Sequence, residues 1–332
     1  MQKDKFRNIR AYRLGWLLLF IDFLIIFPIL IIMRRKTASS LNLRFSGDRK
    51  QIEKDIRWGA FFMTNHRDIV MDAAFLTQLL RVRYFIHPYI GIGNNLFGKW
   101  WIEPVVRTLR AFVVVRNGSF HEQRENAITL SQYIHRLRRF HRSIWLAQRE
   151  GRAKDGNDIT QPGVLKMLTL DSDNFFESIK ELNICPVSIS YEYDPCDYLK
   201  AREMQLKRDN PQWRKSRKDD LVSMKVGING YKGRIVYRLT PSINHEIDQA
   251  LIERPELLTI SRNEQIQFVC QLIDNHIHKA YEIYPRGEAF NEYIEGQIKK
   301  INLSNKDTDF LREKLYEMYN NPVENYKKAN TL

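Results

Sequence analysis

The sequence predicts an α/β fold, a largely parallel or mixed sheet flanked by helices. Short apolar runs rich in β-branched and aromatic residues alternate with longer segments of helical spacing between Trp58 and Ile243. That alternation is the pattern of strands joined through helices. Chemically versatile residues fall just past the runs: His66, Arg116, the Glu150-Gly151-Arg152 triplet and Tyr191-Glu192. In open α/β sheets ligands sit beyond the carboxyl ends of the strands, so these positions are expected to converge.

The first segment stands apart. Leu14 to Met33, "LGWLLLFIDFLIIFPILIIM", is 20 residues long and interrupted only by Asp22 and Pro28. As a helix it would span roughly 30 Å, about the hydrocarbon thickness of a bilayer. Lys3, Lys5, Arg7, Arg10 and Arg13 precede it, and Arg34, Arg35 and Lys36 follow. Its length and the lack of a small-x-small site argue against a cleaved signal peptide. Asp22 and Pro28 fit a kinked or re-entrant anchor in one leaflet better than a simple lipid-facing span. The alternative is a buried helix of a soluble core. Residues 1–36 are read as a membrane anchor, 37–245 as the α/β domain and 246–332 as a helical region packed on it.

The elements follow in order. Residues 37–58 are mixed and polar, a connector with one strand near Leu41–Phe45. "WGAFFMT" (58–64) is a short buried strand and "AAFLTQLL" (73–80) a helix. "YFIHPYIGI" (84–92) is strand-like and ends in the turn residues Gly91, Gly93, Asn94 and Asn95. "WWIEPVVRTL" is a short helix, "AFVVVRNGS" (111–119) a strand, and residues 121–142 a helix with a stripe of Leu130, Ile134 and Leu137. "SIWLAQ" (143–148) is a strand before the polar loop "REGRAKDGND", "VLKMLTL" (164–170) is helical, and "ICPVSISYE" (184–192) is a strand. Residues 200–218 hold eight Lys/Arg and two acids and read as a solvated loop, or as a contact with anionic lipid. "GRIVYRLTPSI" (233–243) is another strand, and helices follow from Ala289.

Composition narrows the partners. The chain of 332 residues is 43% hydrophobic and 12% aromatic, which supports a sizeable core. Its net charge of +14 calls for an anionic partner: a membrane surface, a phosphorylated substrate, an acidic carrier protein or nucleic acid. No nucleic-acid-binding motif is present. Cys185, Cys196 and Cys270 are too few and too scattered for a disulfide framework or a zinc site, and no metal-ligand spacing is visible.

The chemistry centres on "NHRDIVMD" (65–72). His66 follows a strand end, with Asp68 and Asp72 close behind on the first turns of a helix. A carboxylate that accepts the Nδ1 proton would fix the tautomer and leave Nε2 as a base. No G-x-S-x-G or cysteine context accompanies the histidine, so the nucleophile is expected to be a substrate hydroxyl. Backbone N–H groups at the helix start are candidates to hold an oxyanion.

Three further blocks, "GNNLFGKWWIEPVVRTLRAFVVVRN" (93–117), "IWLAQREGRAKDG" (144–156) and "ICPVSISYEY" (184–193), follow "NHRDIVMD". In order and spacing the four blocks resemble those of the glycerol-phosphate and lysophosphatidate acyltransferase family. The resemblance is greatest to its glycerol-3-phosphate and dihydroxyacetone-phosphate branch, and it covers roughly residues 60–195. It implies a glycerolphosphate acyltransferase-like fold. It also implies that His66 deprotonates an acceptor hydroxyl, which attacks an acyl thioester, while a following Asp orients the histidine. Gly93, Asn95 and Leu96 match the second block's G-x-N-L, and Arg116 an arginine that binds the acceptor phosphate. Glu150, Gly151 and Arg152 match the third block, with Lys154 nearby, and Pro186 matches the fourth block's proline. Arginine suits phosphate because its planar fork of donors meets two oxygens at once.

Three departures qualify the match. His66 and Asp72 are separated by five residues where the family has four, so the orienting acid is Asp72 or, alternatively, Asp68. The third block reads E-G-R instead of E-G-x-R, which leaves part of the arginine's role to Lys154. The second block's strand ends V-V-V-R, where the branch often carries two arginines. The expected function is a membrane-bound O-acyltransferase acting on glycerol-3-phosphate or lysophosphatidate in phospholipid biosynthesis. Its donor is acyl-CoA or an acyl carrier protein thioester, with no cofactor and no metal. Its expected location is a bacterial inner membrane with the site on the cytoplasmic face, and its partners are membrane lipid and the acyl thioester donor. The alternatives are the same chemistry on a non-phosphate lyso-lipid and, of another class, a non-enzymatic basic protein that binds membrane or nucleic acid.

Overall fold

Seven strands form one sheet: β1 (Ser40–Phe45), β2 (Phe61–Thr64), β3 (Tyr89–Gly93), β4 (Ala111–Val114), β5 (Ile144–Ala147), β6 (Ile184–Tyr191) and β7 (Arg234–Leu239). Their order is β1-β7-β6-β2-β5-β3-β4. The structure is a computed structural model that describes residues 6, 9–11, 20, 22–94, 103, 106, 107, 110–115 and 118–331. Five neighbouring strands, β6 to β4, run parallel, with Phe61 opposite both Ile144 and Ile184. β7 runs antiparallel to β6, and β1 runs parallel to β7. The sheet is therefore mixed, parallel where it carries the site.

Twelve α-helices are described: α1 (Phe27–Thr37), α2 (Arg49–Arg57), α3 (Met71–Tyr84), α4 (Phe120–Arg139), α5 (Pro162–Leu168), α6 (Phe175–Leu182), α7 (Asp197–Asp209), α8 (Arg217–Asn229), α9 (Asn244–Glu253), α10 (Arg262–Lys279), α11 (Glu288–Lys300) and α12 (Thr308–Thr331). Strand side chains alternate between the two faces. Phe61, Met63, Ile144 and Leu146 enter one core with α4, α5, α6, α9 and α10. Phe62, Trp145, Val187, Ile189 and Tyr237 enter the other with α2 and α3. Covering both faces is what makes the short strands apolar throughout. A third cluster joins α7, α11 and α12 through Ala201, Phe290, Ile294, Leu311 and Leu315.

Three expectations are corrected. The connector 37–58 contains α2, whose Asp48 side chain accepts the Lys50 amide at 3.0 Å. Its apolar signal is only Ile52 and Ile56, four apart in a charged segment. The run 84–92 is not one strand: α3 continues to Tyr84 and closes with Phe85 at φ 57°, and β3 starts at Tyr89. The basic segment 200–218 is a helix up to Asp209, because Ala201 seats in the third cluster. Most of "WWIEPVVRTL" lies outside the described residues. Among the described residues no helix is long and apolar enough to cross a membrane, and residues 12–19 and 21 of the apolar stretch and its flank lie outside them.

Candidate active site

The loop after β2 is held at both ends. Asn65 is fully buried; its side chain accepts the Ile189 amide at 2.7 Å and donates to the Ile189 carbonyl at 3.0 Å. The side-chain amide thus continues the β2–β6 pairing one step beyond the strand. At the other end Asp68 Oδ1 accepts the amides of Val70 (2.9 Å) and Met71 (2.8 Å), which satisfies donors that a helix start leaves open.

Between these anchors His66 meets Asp72. His66 Nδ1 lies 2.9 Å from Asp72 Oδ2, an oxygen that also accepts the amides of Arg67 (2.7 Å) and Asp68 (2.9 Å). Tyr191 donates its hydroxyl to Asp72 Oδ1 at 2.9 Å. A carboxylate on Nδ1 favours the Nδ1–H tautomer and leaves Nε2 the basic position. The Asp72 side chain is wholly buried, whereas His66 keeps 13% of its side chain exposed. The five intervening residues fit because α3 starts only at Met71, and the loop takes up the extra residue. Asp68 points elsewhere, against α8, where a Cβ on Gly227 would stand 2.1 Å from its Oδ2. Burial and the neighbouring Asp72 charge raise the pKa of Asp68.

Second-layer groups stiffen the pair. Burial, with the Asp72 charge beside it, pushes the Tyr191 hydroxyl well above its usual pKa, so it stays a donor. Tyr237 donates to the Asp72 carbonyl at 3.0 Å and ties the first turn of α3 to β7. Trp145 stands edge-on to His66 with ring centroids 6.2 Å apart. Arg67 lies 3.2 Å from Asp158, a fully buried carboxylate that also accepts from Asn65 and Tyr281.

His66 opens onto a cavity of about 1200 Å³. One part of its wall is aliphatic, including Ile69, Val70, Ala73, Ile90, Val114 and Val164. Another part carries Arg149, Arg152, Lys154 and Lys200. Arg149 Nε and Arg152 Nη1 are buried with no hydrogen-bond partner among the described residues. Such donors cost free energy unless something accepts from them. The described lining includes no serine, threonine or cysteine.

The other sequence candidates distribute unevenly. Gly93, at the end of β3, lines the cavity together with Glu150 and Gly151. Gly151 adopts φ +70° with open space around it, so glycine is there for the turn. Lys154 also lines the cavity, but its ammonium is engaged by Glu203 of α7. Burial lowers the Lys154 pKa against that pairing. Pro186 lies inside β6, opposite Met63, and is not on the cavity wall. Asn95 and Arg116 lie outside the described residues. Near the helix start, the amides of Arg67, Asp68, Val70 and Met71 are taken by Asp72 and Asp68. Sequence reasoning gave no role to Asn65, Arg149 or Trp145, and it placed Tyr191 at a strand end without assigning its hydroxyl. The one available signal was position, since each lies in or beside a motif block.

Fold and site together define an α/β protein that holds a reachable histidine on a buried acid, at the wall of a cavity part aliphatic and part cationic. No family model matches the chain, and no curated protein matches it. Among solved structures it is similar to the 1-acyl-sn-glycerophosphate (LPA) acyltransferase PlsC from Thermotoga maritima. The identity is 11% and the TM-score 0.38, with 82% of this chain and 90% of that chain covered. That likeness is too distant to carry residue roles or a substrate.

Proposed function

We propose that the protein is an O-acyltransferase that moves a fatty acyl group from a thioester to a lipid-precursor hydroxyl. The carrying observation is a histidine base on a cavity wall whose described lining holds no serine, threonine or cysteine. His66 Nε2 takes the acceptor hydroxyl proton as the oxygen attacks the thioester carbonyl. Asp72 stabilises the imidazolium that forms. Collapse of the tetrahedral intermediate breaks the C–S bond, and His66 returns the proton to the leaving thiolate. No covalent acyl-enzyme is needed. The aliphatic wall suits an acyl chain, and the guanidinium groups of Arg149 and Arg152 on the cationic wall suit phosphate oxygens. The proposed acceptors are glycerol-3-phosphate and lysophosphatidate; the proposed donors are acyl-CoA and the acyl carrier protein thioester.

Membrane attachment belongs to the same proposal, with a single-leaflet anchor. The chain on both sides of the apolar stretch is held by one body. Ala11 donates to Tyr133 on α4 at 3.3 Å, and the Thr37 carbonyl accepts the Lys232 amide at 2.7 Å. Anchoring at both ends supports a stretch that re-enters one leaflet over one that crosses the bilayer once.

The test is acyl transfer by membranes carrying wild type or His66→Ala, with labelled glycerol-3-phosphate and lysophosphatidate offered separately alongside long-chain acyl thioesters. Product from wild type alone supports the reading and names the acceptor. Equal product from the variant would refute the mechanism. A second reading, a lyso-lipid acceptor without phosphate, draws on Val115, which lines the cavity where the resembling branch often has arginine. On that reading Arg116→Ala leaves KM for the phosphate acceptors unchanged.

A further inference from the structure

Helix α8 buries the wrong residues for an ordinary surface helix. Its buried positions are Ser223 and Gly227, small residues four apart that press on the body beneath. Gly227 meets Asp68, and the Ser223 carbonyl accepts from Cys196. Ile228 packs against the core, but the aliphatic residues Leu221 and Val222 face outward, 43% and 47% exposed. A helix normally turns its apolar stripe inward and its small or polar residues out.

α8 packs against α1, which exposes Ile29 (45%) and Ile32 (65%). Around the α8 aliphatics stand Arg217, Lys218 and Lys225, and no ion pair among the described residues engages them. Lys215 is different: it pairs with Asp220 at 2.6 Å. The capping acid Asp219 is bound to Ser216. Asp220 and Met224 of the same helix line the cavity, so α8 stands between the cavity and the exterior.

We propose that α8 is a membrane-contact element separate from the N-terminal stretch. Leu221 and Val222 seat in an anionic bilayer, and Arg217, Lys218 and Lys225 sit at its headgroups. An interfacial helix with aliphatic residues flanked by basic ones has this chemistry. Basic charge alone would also suit an acidic carrier protein. Adjacent exposed aliphatic side chains on α8, beside a helix that exposes isoleucines of its own, favour lipid. The contact places the cavity wall at the bilayer surface, and only this consequence, that the acyl substrate enters from lipid, rests on the acyltransferase reading.

All three native cysteines are buried, so an introduced surface cysteine can be labelled selectively. The experiment uses the full chain with Val222→Cys carrying an environment-sensitive fluorophore. Ile29→Cys is the comparison on α1, and Ile252→Cys, 81% exposed on α9, is the negative control. Vesicles of phosphatidylcholine with phosphatidylglycerol are expected to shift the emission at positions 222 and 29 to shorter wavelength and leave 252 unchanged. An unshifted position 222 overturns the proposal whatever position 29 does. A shift at 222 with an acidic carrier protein and none with vesicles overturns it in favour of a protein partner. This readout needs no catalysis, so its failure is distinct from failure of the acyl-transfer assay. If both readings hold, Leu221→Ser/Val222→Ser slows acylation of bilayer-embedded substrate and leaves the rate on detergent-dispersed substrate unchanged.

Discussion

His66 and Asp72 form a buried-acid pair, 2.9 Å from Nδ1 to Oδ2, in which the acid's oxygens also hold two backbone amides and the Tyr191 hydroxyl. The acid thus fixes both the imidazole and the loop that carries it. General base catalysis by such a group contributes roughly 100- to 10,000-fold, and that range is the expected kcat loss for His66→Ala. Asp72→Asn is expected to fall in the same range, and the double variant to be little slower than either single one, because the pair acts as a unit. Steady-state rates of the three variants, with folding checked by circular dichroism, decide the matter. Multiplicative losses would show that the two residues act independently.

Tyr191 touches the acid and not the cavity. Tyr191→Phe removes one donor from a buried carboxylate and leaves the ring in place. The expected stability loss is about 1–3 kcal/mol, the cost of an unsatisfied buried acceptor. kcat is expected to fall while KM for both substrates stays unchanged, since Tyr191 meets neither. A KM change without a kcat change would place Tyr191 in substrate binding.

Gly227→Ala tests the seat of α8 by sign. At an exposed helical position alanine would stabilise, by about 0.5–1 kcal/mol relative to glycine. Here the new methyl group would stand 2.1 Å from Asp68 Oδ2, so the carboxylate or the helix must move. Overpacking of this kind costs about 1–3 kcal/mol. Asp68 caps the start of α3 and its amide donates to Asp72, so catalysis is expected to weaken with stability. The denaturation midpoint of the variant checks the sign, and a rise would mean that α8 is not pressed on Asp68.

The strands and the helix after His66 were legible because buried parallel strands and amphipathic helices leave strong periodic signals. α2 was not, since two isoleucines in a charged segment are a faint stripe. α7 was hidden because it packs on α11 and α12, which are distant in sequence, and its basic residues read as solvated. Within the site, "NHRDIVMD" marked the base and offered two acids, but only geometry separates Asp72 from Asp68. The choice depends on where α3 begins, and element boundaries are what sequence patterns locate least well. The role of Asn65 was illegible for another reason: its partner, Ile189, is 124 residues away.

Asp197 makes the stability of the α7–α12 packing depend on pH. It is fully buried on the first turn of α7, where Oδ2 accepts the hydroxyls of Tyr293 and Tyr319, each at 2.7 Å. Burial, reinforced by the charge of Asp194, pushes its pKa from 3.8 up to about 7. Between these values the folded protein keeps a proton that the unfolded chain has released. Its contribution to stability is therefore greatest in acid, falls as pH rises through this window, and is constant above it. The shift corresponds to a loss of order 4 kcal/mol across the window. Asp197→Asn cannot titrate but keeps an acceptor for the tyrosines. Whatever constant offset the substitution adds, the variant is expected to gain on wild type steadily from about pH 4 to about pH 7 and no further beyond. Denaturant midpoints at a series of pH values measure that difference. A difference flat with pH would mean that Asp197 ionises in the folded protein as it does in water.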